Sequence, residues 1–398
     1  MTWDDVMIFN ITSETPIIFD LGGHRGDWVQ IALERYPRST IYVFEPIVHY
    51  YKLICDRFEN FNNIKIFNFA ISDKTGSTQI SVNGDISSMH FNNDYIEREN
   101  IRTKDIREFL FENQIFFVDL IKINIEGEEY NLLEYLINTP EFCVFQNYAI
   151  QFHRNMTDHI NRRNNILIEF QKFYDQIFNV DFIWECWSIK KIKKINAVGD
   201  SHISCFSFHD NLQHYEHKFE NFTSYRHTGM LAYNLLTKTE LHSTISKLDK
   251  DISFLISFGE VDCRAQVKNR SDLSDKAEFE ILDEILNRYF LYIDSLDFKE
   301  KIIFSIVPEL VEFPNQYYYE NHLQDYDCPR GSFIERTSYK DYFDSKLKHL
   351  SNQRGYKYIS IYNYIKKIPH LYMLDDIHLH PKKVLYLIRY EFIKNGLI

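Results

Sequence analysis

Two short stretches of the chain hold residue types that could do chemistry. In I-I-F-D-L-G-G-H-R-G-D-W, Asp20, Gly22, Gly23 and Gly26 crowd one turn. Glycines at such a turn let a ligand come close to the backbone, and a helix starting there aims its N–H groups at a carboxylate or phosphate. The next strand-like run, Y-V-F-E-P, ends on Glu45. An acid at that strand tip is placed to accept hydrogen bonds from both hydroxyls of a ribose. In the second stretch, A-V-G-D-S-H, Ser201 directly follows a strand-like run. A sharp turn there exposes a hydroxyl nucleophile and gathers backbone N–H groups beside it, although a helix-capping serine also fits the pattern. Near the C-terminus, L-D-D-I-H-L-H-P places Asp375 three residues before His378, close enough for a carboxylate to orient a basic imidazole. The adjacent Asp376 fits that orienting role as well.

These residues need elements to hold them. Apolar runs predict strands at 17–21, 40–44, 64–71 and 120–125, with helices over 28–36 and 129–136 between and after them. A second series follows, with strands at 195–198, 252–258, 301–307 and 357–361 and a helix over 382–394. Strands alternating with helices predict parallel sheets covered on both faces, whose ligands sit beyond the carboxyl ends of the strands. The lysine-rich S-I-K-K-I-K-K-I run marks a seam. The expected domains are therefore 1–192 and 193–398.

The first domain resembles the FkbM family of S-adenosylmethionine-dependent O-methyltransferases. The resemblance rests on D-L-G-G-H-R-G, F-E-P (44–46), A-I-S-D-K-T-G (70–76) and I-K-I-N-I-E-G-E-E (121–129). It implies a Rossmann-like fold with S-adenosyl-L-methionine as cofactor. Asp20, Gly22, Gly23 and Gly26 would surround the methionine end, Glu45 would hold the ribose, and Ser72 and Asp73 would lie near the adenine. Where the family has Asp, this chain has Asn124, which hydrogen-bonds but cannot take a proton. Glu126, Lys122 and His153 then become the polar candidates at the acceptor end, with Glu126 and His153 as candidate catalytic groups. Glu126 also fits a plain ion pair with Lys122, and His153 a structural role. His24 reads as a solvated loop histidine.

The second domain resembles the SGNH/GDSL hydrolases, which implies a flavodoxin-like α/β/α fold. Ser201 would be the nucleophile, His378 the base and Asp375 its orienter, and Gly229 in T-G-M would offer an oxyanion N–H. The third block reads G-E-V-D-C-R, so Val261 stands where that superfamily has an Asn oxyanion donor. Loss of one such donor typically costs about 10²–10³ in turnover. Arg264 or His202 could substitute, or Arg264 could hold an anionic group of the substrate. Arg264 also fits a buried pair with Glu260 or Asp262.

The expected function is a bifunctional glycan-modifying enzyme, joining O-methyl transfer to a carbohydrate or glycolipid-type hydroxyl with esterase-type acyl cleavage or transfer. Two alternatives stay open for the second domain: a non-catalytic glycan-binding module, or an O-acyltransferase. Across 398 residues the net charge is −12 and 44% are hydrophobic. That composition excludes disorder and argues against a nucleic-acid partner. The six cysteines form no C-x-x-C pair, so no metal site is expected. Their scatter and the acidic M-T-W-D-D-V-M start point to a cytoplasmic protein without a signal peptide or membrane span.

Overall fold

A computed structural model describes residues 9–81, 98–154, 156–206, 221–309, 328–372 and 378–398. The chain divides into two compact units, Met1–Lys190 and Lys191–Ile398. Both are mixed α/β. Among the described residues, no helix is long and apolar enough to cross a membrane.

In the first unit, β1 (Ile17–Leu21) lies between β2 (Thr40–Phe44) and β7 (Leu120–Ile123), all parallel. With β3 (Ile64–Phe67), β8 (Asn147–Ile150), β9 (Tyr174–Val180) and β10 (Trp184–Ile189), the sheet order is β3-β2-β1-β7-β8-β10-β9. Chain order reverses direction between β1 and β7, which opens a crevice beyond their carboxyl ends. Side chains alternate along β1. Ile18 packs with Trp28, Val29 and Ala32 of helix α1 (Asp27–Arg35). Phe19 packs on the other side with Phe44 and Phe109, at 5.4 and 5.9 Å between ring centroids.

Two features depart from the sequence expectation. The sheet is not wholly parallel, because β10 runs antiparallel to both β8 and β9. The short β9–β10 connection at Asp181–Ile183, with Phe182 at φ 60°, permits only a hairpin. The expected strand over 64–71 is broken after Phe67, and its second half, β4 (Ala70–Ser72), joins β5 (Gly76–Ser81) and β6 (Arg98–Asp105) in a separate three-stranded sheet.

In the second unit, β11 (Ile195–Gly199), β12 (Phe222–Arg226), β13 (Ser253–Ser257), β14 (Lys301–Phe304) and β15 (Lys357–Ile359) form a sheet of order β12-β11-β13-β14-β15. All four neighbouring pairs are parallel. This is the second common doubly wound order, with its crevice between β11 and β13. Phe254 and Ile256 of β13 pack with Ile285, Leu286, Tyr289 and Phe343 in a core of buried residues. The predicted C-terminal helix is present as Pro381–Lys394.

Candidate functional site

At the crevice of the first unit, the turn after β1 meets the loops after β2 and β7 around a cavity of about 370 Å³. This is within the size range of small-molecule sites, roughly 300–1,000 Å³. Gly22, Gly23, His24, Glu45, Ile47, Tyr50, Ala70, Ile71, Ile80, Asn124 and Glu126 all contribute to its wall. Gly22 has φ +81°, and a Cβ there would lie 2.1 Å from the Asn124 carbonyl oxygen. Only glycine permits that approach of the two loops. Gly26 has φ +80°, and its missing Cβ faces the Phe58 ring rather than the cavity. Asp20 is fully buried. Neither Asp20 nor Gly26 lines the cavity; both shape the turn beneath it.

Glu45 sits one residue past β2 and is 4% exposed. Its two carboxylate oxygens accept the backbone N–H groups of His24 at 2.8 Å and Ile47 at 2.9 Å. Burial raises its pKa to about 7, against the opposing pull of those hydrogen bonds. His24 is not a solvated histidine, because its ring packs on Tyr50 with centroids 4.2 Å apart at the cavity wall.

Lys122 of β7 is buried and ion-paired to Asp20 at 2.8 Å. It also donates to the Leu21 and Gly22 carbonyl oxygens, at 3.2 and 2.7 Å. Lys122 therefore clamps the turn from within the cavity wall. Ser72 donates to Asp73 Oδ1 at 2.9 Å. The cavity wall ends at Ala70 and Ile71, so neither Ser72 nor Asp73 lines it.

At the other end of the cavity, Glu126 stands at φ +53°, a conformation that costs a non-glycine residue about 1 kcal/mol or more. Its partner is His153, with Oε1 3.1 Å from Nε2, and not Lys122. Glu129, wholly buried at the start of helix α2 (Glu129–Leu136), completes the arrangement. Glu129 Oε1 accepts the His153 backbone N–H at 2.7 Å and lies 3.1 Å from Nδ1, while Oε2 accepts the Gly127 N–H at 2.8 Å. Burial opposes the charge on His153, but hydrogen bonds to Glu126 and Glu129 outweigh it and raise its pKa to about 9, which favours the protonated ring.

At the strand ends of the second unit, Ser201 opens a 3₁₀ turn, Ser201–Phe206, directly after Asp200. Ser201 is buried, 7% exposed. The neighbouring His202 has its ring 5.1 Å from that of His378, which brings the two predicted segments together. Asp375 lies outside the described residues. Gly229 occupies a left-handed turn at φ +68°, next to a His227 N–H that donates to the Gly199 carbonyl oxygen at 2.8 Å.

Arg264 is buried, with Nε 3.0 Å from Glu260 Oε1. It is a structural cation of a charged cluster and not an open substrate contact. Glu260 also pairs with Lys340 at 2.9 Å and His202 at 3.0 Å. Lys340 continues to Glu309 at 2.8 Å, and Glu309 to Arg336 at 2.8 Å. Burial works against the charge on Glu260, but Arg264, Lys340 and His202 hold its carboxyl well below the usual range.

Sequence reasoning missed Glu129 and Lys340. The three glutamates of E-G-E-E carry no spacing that ranks them. Lys340 approaches Glu260 only because the helix Phe333–Gln353 packs beside β13's end.

Comparison with known proteins adds a class. Residues 20–185, less than half of the chain, match the family model described as the Methyltransferase FkbM domain, and the match lies within the first unit. No curated protein shows significant similarity to the chain. Among solved structures, the fibrillarin pre-rRNA processing protein of Methanococcus jannaschii is similar at 11% identity. That likeness covers 46% of this chain and 69% of that one, with a TM-score of 0.30. An rRNA methylase from Streptococcus thermophilus is similar at 10% identity over 47% of this chain and 93% of that one, TM-score 0.28. Est24, a carbohydrate acetylesterase from Sinorhizobium meliloti, is similar at 10% identity over 51% and 96% of the two chains, TM-score 0.30.

Proposed function

We propose that the first unit transfers a methyl group from S-adenosyl-L-methionine to a hydroxyl, on a carbohydrate or glycolipid-type acceptor. The observation that carries this reading is Glu45, a buried strand-tip carboxylate in the wall of a small-molecule cavity. The donor set fits the cofactor. Ile47, Ala70, Ile71 and Ile80 form an apolar end for the adenine, Glu45 meets the ribose hydroxyls, and the Gly22–Gly23 backbone meets the methionine moiety. The bound cofactor supplies an electrophilic methyl. The protein's part is to align the acceptor oxygen with it and to take up the hydroxyl proton. Glu126 and His153 are the candidate groups on the path of that proton, and Asn124 hydrogen-bonds the incoming hydroxyl. Calorimetric titration with S-adenosylmethionine tests the assignment. Glu45→Ala should weaken binding by about 10–100-fold, the worth of hydrogen bonds to a charged group. Equal affinity for wild type and variant would sink it.

For the second unit we infer an SGNH-like serine site, in which Ser201 is the nucleophile for acyl cleavage or transfer, His378 its base, Asp375 the orienter and Gly229 an oxyanion donor. The closeness of His202 to His378 supports the pairing of the two segments. A fluorophosphonate should label the wild type and not Ser201→Ala. A second reading is a non-catalytic glycan-binding module. Val261 at the donor position and the engagement of Arg264 by Glu260 favour it, and absence of labelling would decide for it.

A further inference from the structure

Glu129 touches both ends of the segment that carries Glu126. One of its oxygens holds the Gly127 N–H, the peptide directly after Glu126, and the other holds the His153 ring, which in turn holds the Glu126 carboxylate. This closed set of hydrogen bonds keeps a non-glycine residue at φ +53° with its side chain in the cavity wall. Two glutamate side chains share the one His153 ring, so acidic groups outnumber basic ones in the set. Lys122, which also lines the cavity, is paired with Asp20 rather than with this set.

We propose that the Glu129–His153–Glu126 chain presents a fixed negative charge to the sulphonium of S-adenosylmethionine and so discriminates the cationic cofactor from its neutral product, S-adenosylhomocysteine. Glu126 is the residue that faces the cofactor, and Glu129 is a positioning residue that acts through His153 and Gly127. The proposal rests on the methyltransferase reading above. Its chemistry is simple: the two ligands share adenosine and amino-acid groups and differ by one methyl and one positive charge. A carboxylate facing the sulphur would strengthen only the binding of the charged form, and loss of that charge on transfer would weaken the hold on product.

The test is calorimetry on the full chain with S-adenosylmethionine and S-adenosylhomocysteine separately, reading the ratio of the two Kd values. Glu126→Gln and Glu129→Gln should each shift that ratio toward the product by about tenfold, the scale of one screened charge contact. Glu45→Ala should weaken both ligands and leave the ratio unchanged, because the ribose is common to both. A merely structural Glu129 would likewise lower both affinities together. Variants that bind both ligands with the wild-type ratio overturn the proposal and leave the cofactor reading standing. A wild type that binds neither ligand overturns both. If Glu129→Gln does not fold, Glu126→Gln carries the test, since its side chain is partly exposed.

Discussion

Each unit has a buried glutamate just past a central strand, and the two are opposites. Glu45 in the first unit is held by backbone N–H groups alone among its hydrogen bonds, and burial lifts its pKa to about 7. Glu260 in the second unit meets Arg264, Lys340 and His202, and its carboxyl is held far down. A buried carboxylate that remains costly to ionise leaves interaction energy for a ligand's donors to recover. One already matched by three cationic or donor side chains has its interactions within the fold. The first pattern is the one a binding site would show and the second the one a scaffold would show. That difference accords with the proposed role of Glu45 in binding and with a structural role for Glu260, although both stand at the ends of doubly wound strands.

The largest effect that could break this comparison is on stability. Glu260→Gln removes the carboxylate that Arg264 and Lys340 share, leaving Lys340 with Glu309, and should cost about 3–5 kcal/mol, the usual loss on removing one partner of a buried ion pair. Chemical denaturation should show a clear drop in midpoint. Glu45→Gln should not lower the midpoint at pH 8. Its folded pKa lies above the usual carboxylate value, so ionised Glu45 opposes folding, and its stabilising contribution is lost as pH rises through about 7. Glu260 runs the other way. Its contribution is present at neutral pH and is lost as pH falls below the ordinary carboxylate range. Equal losses for the two variants at pH 8 would erase the distinction.

A smaller effect sharpens it. On the proposed function, ribose hydroxyls would donate to an ionised Glu45, so binding would favour the carboxylate and release a proton wherever the free protein is protonated. With a free pKa of about 7, affinity for S-adenosylmethionine should fall by about tenfold between pH 8 and pH 6, following the ionised fraction. Calorimetry in buffers of different ionisation heats should show proton release at pH 6 and little at pH 8. Glu45→Gln should flatten the profile. A wild-type affinity independent of pH would show that Glu45 does not meet the ligand.

Much of this was legible in the sequence. Alternating apolar runs placed β1, β2, β7, β11 and β13, and the position of Glu45 after a strand followed from F-E-P. Residues whose partners come from distant segments were not legible. Glu126 met His153 rather than Lys122 because β8 lies beside β7 and carries His153 past its end. Arg264 was open between substrate and Glu260, and the packing of Lys340 against the same carboxylate settled it inside the fold. The antiparallel β10 was missed because β9 and β10 are ordinary apolar-polar strands whose direction is set by a short turn.

The smallest predicted effect concerns Ser72 and Asp73, which the family resemblance places near the adenine. The polypeptide leaves β3, bends, and enters the small separate sheet at Ala70. That bend puts Ala70 and Ile71 in the cavity wall and turns Ser72 and Asp73 beyond it, with the Ser72 hydroxyl donating to its neighbour's carboxylate. The adenine edge should therefore be met by apolar contact and backbone, not by these two side chains. Ser72→Ala and Asp73→Asn should each change S-adenosylmethionine affinity by no more than about twofold, the range of substitutions away from a site's contacts. A tenfold loss in either would mean that the loop after β4 closes on the adenine when ligand binds, and that the polar groups of this end are supplied by a rearrangement rather than by the wall already formed.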